Sequence, residues 1–167
     1  VSGPGYHIAL TREHAKRLFG LKEEPALREF FQELRTSNQL KKEGRVLESA
    51  TVWDPLHRCL TEGELDPEGG DFPLNHAVLG GKRLVFADDL VAVLVRPDMT
   101  NFVAEGLAEV EEEDVRKKYF ALDPAKYGKA PTEKEFQQVW LKLNELRTFF
   151  DEAAANLDAV VFVGVRQ

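Results

Sequence analysis

Two stretches decide the fold class: Thr132–Asn156, TEKEFQQVWLKLNELRTFFDEAAAN, and Ala159–Val165, AVVFVGV. In the first, Phe136, Val139, Trp140, Leu143, Leu146, Phe149, Phe150 and Ala153 recur at spacings of three and four. That period lines one face of an α-helix. Thr132 with Glu135 three residues on has the pattern of a capping box, and Asn156 suits the far end. The second stretch is a near-continuous apolar run of strand length, as in a strand covered on both faces. A long amphipathic helix therefore runs into a final core strand.

Working outward, Tyr6, Ile8 and Leu10 alternate with His7 and Ala9, the period of another strand. Thr11 reads as the N-cap of a helix that carries Ala15, Leu18 and Phe19 and stops at Gly20. A second helix starts near Pro25 and buries Leu27, Phe30, Phe31 and Leu34. Lys41–Gly44 reads as a polar turn, Arg45–Ala50 as an extended segment and Trp53–Leu60 as a short helix. Thr61–Phe72, with three Gly, one Pro and five acids, is the most loop-like stretch. Pro73–Leu79 reads as a helical turn ending at Gly80-Gly81. Strands follow at Leu84–Phe86 and Leu90–Val95, then helices at Thr100–Val110 and Val115–Leu122, and a loop at Asp123–Pro131. Helices and strands do not alternate regularly. The expected class is α+β, a small mixed or antiparallel sheet against several helices, with residues 1–167 forming one domain.

The 167 residues can bury a core without staples, and 43% of them are hydrophobic. Cys59 is the lone cysteine, which fits a reducing compartment. No apolar run approaches the roughly 18 residues of a membrane span. The first residues show no basic region followed by an apolar core. The expectation is a cytoplasmic protein with no membrane role. A net charge of −7 and a pI near 5.2 disfavour nucleic acid as a partner and suit a basic protein partner.

Gly80-Gly81-Lys82 lacks the spacing and the Ser or Thr of a phosphate loop, and no dinucleotide fingerprint or nucleophile elbow is present. One cysteine excludes a multi-cysteine zinc site. His7, His14, His57 and His76 form no H-E-x-x-H pair, although three of them could still meet in space. No cofactor is expected.

Four motifs occur in order: Gly5-Tyr6-x-Ile8-Ala9-Leu10, Trp53-Asp54-x-Leu56-His57-x-x-Leu60-Thr61, Pro73-Leu74-x-x-Ala77-Val78-Leu79-Gly80-Gly81, and the closing helix running into Asp158-Ala159-Val160-Val161. Together they resemble the YfbM-like family, bacterial proteins classed as a domain of unknown function (DUF1877). Members often carry an acidic residue shortly before the Trp, where this chain has Ser49. The resemblance implies an α+β fold and a bacterial cytoplasmic origin, and it implies no reaction.

On a helix, Asp54 and His57 are three apart and can touch, as in a general-base dyad. Equally, Asp54 before Pro55 makes a good helix start, which leaves Trp53 as packing and His57 as a satisfied core histidine. Two functions follow. One is a non-enzymatic binding protein, of accessory or immunity type, whose acidic surface and loop Glu62–Asp71 engage a protein partner. The other is a small-molecule-binding protein or hydrolase-like enzyme with a pocket built from Tyr6, Trp53, Asp54, His57 and His76.

Overall fold

The computed structural model describes residues 2–166. Five strands form one antiparallel sheet: β1 (Ser2–Ala9), β2 (Val46–Ala50), β3 (Lys82–Phe86), β4 (Leu90–Val95) and β5 (Val160–Arg166), in the order β2-β1-β5-β4-β3. β5 is central, as its apolar run implies. It pairs with β1 in a register that sets His7 opposite Phe162 and Ile8 opposite Val161. The first and last strands thus lie side by side.

Side chains on a strand alternate between faces, so each inner strand serves two cores. Val160 and Phe162 of β5, with Val91, Val93 and Val95 of β4, join a core under α4 (Trp53–Leu60), α5 (Pro97–Ala108), α6 (Glu112–Phe120) and α8 (Glu133–Ala155). Val161, Val163, Leu90, Ala92 and Leu94 join a second core under α1 (Arg12–Gly20), α2 (Glu24–Thr36) and α3 (Asn38–Lys42). The fold is α+β in three layers, with the sheet in the middle.

The helix ends show local chemistry. Thr11 caps α1, its hydroxyl accepting from His14 N–H at 3.1 Å. Gly20 is the last helical residue and not a left-handed terminator, since the cap is the extended Leu21. α3 occupies part of the expected polar turn because Ser37 caps it through Leu40 N–H. α5 begins at Pro97, three residues earlier than the periodicity suggests, because Pro is preorganised for a first turn. The loop after α6 holds a single turn, α7 (Pro124–Tyr127), capped by Asp123 and ended by left-handed Gly128. In α8, Thr132 accepts from Glu135 N–H at 3.2 Å, but the reciprocal half of the capping box is absent. Thr132 N–H instead donates to the Tyr119 hydroxyl at 3.0 Å.

Neither Gly80 nor Gly81 has a positive φ. A Cβ on Gly80 would fall 2.2 Å from Asn75 O, and one on Gly81 2.6 Å from Leu94 O. Close backbone approach explains both.

Candidate functional site

On the helix-rich face, the end of α4, the end of α5, the start of α6 and the 3₁₀ turn Leu74–Ala77 enclose a cavity of ≈ 460 Å³. Its floor is apolar: Leu60, Leu74, Val110 and Val115. Glu109, Asp114, Lys117 and Lys118 form its rim. Arg147 of α8 fixes one wall, donating through Nε to Leu107 O at 2.9 Å and through Nη2 to Val110 O. Leu107 O also accepts from Val110 N–H at 3.2 Å, so Arg147 ties the turn that follows α5 to α8. Gly106 opens the groove toward the preceding loop. A Cβ there would sit 2.7 Å from Pro73 Cγ, so glycine lets Phe72-Pro73 lie against α5.

Phe72 and Phe102 extend the apolar surface beyond the cavity. Their ring centroids are 6.0 Å apart, and 46% and 47% of their surfaces are exposed. Phe102, Gly106 and Glu109 share one helical face by their spacing. The segment 105–114 holds six exposed carboxylates, Glu105, Glu109, Glu111, Glu112, Glu113 and Asp114, of which Glu109 and Asp114 line the cavity. Cys59 lines the groove, but burial pushes its thiol up to about 12, so it is no nucleophile at neutral pH.

The five residues expected to form a pocket do not share one cavity. Tyr6 packs against the second core, under the Arg35 guanidinium, whereas Trp53 lies in the first core across the sheet. Trp53 is wholly buried and donates Nε1–H to Gly3 O at 2.8 Å. Its indole lies over Gly5 and Gly164, which face each other across the β1–β5 pair. A Cβ on Gly5 would lie 2.4 Å from Trp53 Cδ1, and one on Gly164 3.2 Å from Cζ2.

His57 is wholly buried and donates Nε2–H to Asp66 O at 2.8 Å, which pins the acidic loop to α4. Burial lowers its pKa, partly offset by that hydrogen bond and by Asp54 and Asp66. Asp54 and His57 do not hydrogen-bond. Asp54 Oδ1 accepts from Arg58 Nε at 2.6 Å, one helical turn on, and Oδ2 accepts from Ser2 Oγ at 2.6 Å. The helix starts at Trp53, so Asp54 is inside its first turn and is not the N-cap. His76 packs beside Phe72, with its ring edge-on at 4.9 Å, and its Nδ1 lies 2.7 Å from Asn75 Oδ1. Among the described residues no three His, Cys, Asp or Glu side chains gather as a metal set.

Sequence reasoning missed a polar cluster beside Asp54. Glu135 Oε1 accepts from the hydroxyls of Tyr119 at 2.9 Å and Tyr127 at 2.5 Å, and Lys129 Nζ lies 2.5 Å from Oε2. The Arg58 guanidinium lies 5.2 Å from the Tyr127 ring centroid. Burial raises the Glu135 pKa, but its three donors outweigh this and hold it below the usual range. Burial, with Glu135 beside it, pushes Tyr119 up to about 12. The carboxylates of Asp54 and Glu135 are both committed to donors, so the cluster ties α4, α6, α7 and α8 together. The Asp54-x-x-x-Arg58 spacing was the available signal.

The three-layer fold and the order of its motifs define a recognisable class. The family described as domain of unknown function DUF1877 matches residues 2–163, and the chain belongs to that family. A crystal structure of YfbM from Escherichia coli, itself described as a protein of unknown function, superposes with a TM-score of 0.69 at 20% identity. The match covers 97% of this chain and 99% of that one, and at this identity it speaks to the fold alone. No curated protein matches the chain.

Proposed function

We propose that the protein is a non-enzymatic, cytoplasmic binding protein of accessory or immunity type, which takes a basic, apolar-tipped segment of a protein partner into the groove between α4, α5 and α6. One observation carries this reading: the exposed Phe72–Phe102 pair runs into an apolar cavity whose rim carries Glu109 and Asp114 beside Lys117 and Lys118. Aromatic anchors beside a desolvated pocket supply binding energy, and a charged rim supplies steering and selectivity. The net charge of −7 favours Lys or Arg on the partner. A single buried thiol is compatible with a reducing compartment.

A small-molecule or hydrolase-like role around Trp53, Asp54 and His57 has less support. Two of the three side chains are wholly buried, and both Asp54 oxygens are occupied.

Affinity capture from the native host with wild-type protein and with Phe102→Asp tests the proposal. Phe102 is half exposed, so this substitution leaves the core intact. The expected result is one recurrent protein that is retained by wild type, lost by at least about tenfold with Phe102→Asp, and weakened by salt. Recovery of the same partner at equal yield by both forms would sink the groove as its site.

A further inference from the structure

The opposite face of the sheet holds a second cavity of ≈ 310 Å³, between α1 and the adjoining ends of β3, β4 and β5. Its floor is carbon, from Leu10, Leu18, Leu94 and Ala159, all members of the second core. Phe19 stands at its edge, 80% exposed. Leaving such a ring in water is unfavourable, and an apolar ligand seated beside it would relieve that.

The mouth has a different character from the rest of this acidic protein. Lys82, the first residue of edge strand β3, and Arg96, before α5, both line it. Arg96 is paired with Asp98 at 3.2 Å, and Asp98 also lines the cavity. Lys82 makes no ion pair or side-chain hydrogen bond among the described residues. An exposed lysine with no partner among the described residues therefore lines the mouth of a carbon-lined pocket at the small end of the roughly 300–1,000 Å³ range of ligand sites.

We propose that this cavity binds a free aliphatic carboxylate of short to medium chain length, the chain over Leu10, Leu18, Leu94 and Ala159 and the carboxylate against Lys82. The site lies across the sheet from the partner groove and stands or falls independently of it.

Amide chemical-shift titrations of the intact chain with hexanoate, octanoate and 1-octanol test this. Saturable shifts are expected at Leu18, Phe19 and Leu94. Affinity should rise about fourfold for each added CH₂, the increment that burial of one methylene gives. Octanol should bind about fivefold more weakly than octanoate, the value of one partly screened ion pair. Lys82→Glu, on an exposed side chain, should weaken octanoate and leave octanol unchanged. Ala15→Trp, which fills the cavity from α1, should abolish both. The proposal is overturned by the absence of saturable shifts, by shifts that map elsewhere, by octanol binding as tightly as octanoate, or by Lys82→Glu having no effect. It is also overturned if a second copy of the chain covers Phe19, seen as a dimer that Phe19→Ser dissolves and octanoate does not.

Discussion

His7 shows how a single buried residue sets a pH response. Its Nε2 donates to Ala77 O at 2.7 Å, while Nδ1 has no partner among the described residues. The ring is packed against Phe149, Phe150 and Phe162. Burial lowers its pKa from 6.5 to about 4, against the upward pull of that hydrogen bond. The unfolded chain therefore binds this proton more readily than the folded one. The contribution to stability is full above pH 6.5 and is lost as pH falls toward 4, a loss of roughly 3 kcal/mol. His57 shifts in the same direction. Denaturant unfolding at several pH values should show this decline, and His7→Leu should be less stable at pH 7 but flatter between 6.5 and 4. At this scale the sequence revealed that Trp53 and His57 had a packing option. It could not reveal that Gly5 and Gly164 meet beneath the indole, because that requires the register of strands more than 150 residues apart in the chain.

The end of α8 is the element where sequence and conformation disagree most. Asn156 is the C-cap, Leu157 N–H donates to Ala154 O at 3.1 Å, and Asp158 N–H donates to Ala153 O at 2.9 Å. This is the six-to-one, five-to-two pattern of a Schellman turn, and it needs a left-handed residue after the cap. Leu157 fills that place at φ 57° with 75% of its surface exposed. A leucine there carries steric cost and buries little. Leu157→Gly should therefore raise stability by about 1 kcal/mol, measured as a shift in the denaturant midpoint at unchanged m. The turn also places Asp158, whose carboxylate meets Arg45 Nη1 at 3.0 Å. Long periodic elements were legible: α8, β5, α4 and the first two helices lie close to where their patterns put them. The one-turn elements α3 and α7 were not, because a four- or five-residue helix has no period to read and depends on its cap. The groove was equally hidden, since its lining comes from the ends of four elements that only tertiary packing brings together.

At the scale of the whole molecule, the central strands join two cores that share no helix. β5 gives Val160 and Phe162 to one and Val161 and Val163 to the other. We infer from this coupling that the two cores unfold as one cooperative unit. Trp53 and Trp140 both belong to the first core, while Leu34 is buried in the second. Leu34→Ala should cost about 2–5 kcal/mol. Tryptophan fluorescence, reporting from the far side of the sheet, should shift by the same amount as circular dichroism. Two separate midpoints would show that the cores unfold independently. The edges of the sheet are treated differently: Lys142 of α8 donates to Glu48 O at 2.7 Å on β2, while β3 carries exposed Lys82 and Arg83. Charge on a free edge discourages pairing with other chains.

The flat seat under Trp53 also limits how this molecule can change over generations. A Cβ on Gly5 would meet the indole first, so enlarging Gly5 is tolerable only after the ring has been cut back, whereas one on Gly164 would meet Phe162 and Val91 at 3.0 Å before the indole. Shrinking the ring first leaves a void over Gly5, which a later substitution could then fill. Drift at this point of the sheet is thus forced into an order, with the helix residue moving before Gly5 of β1.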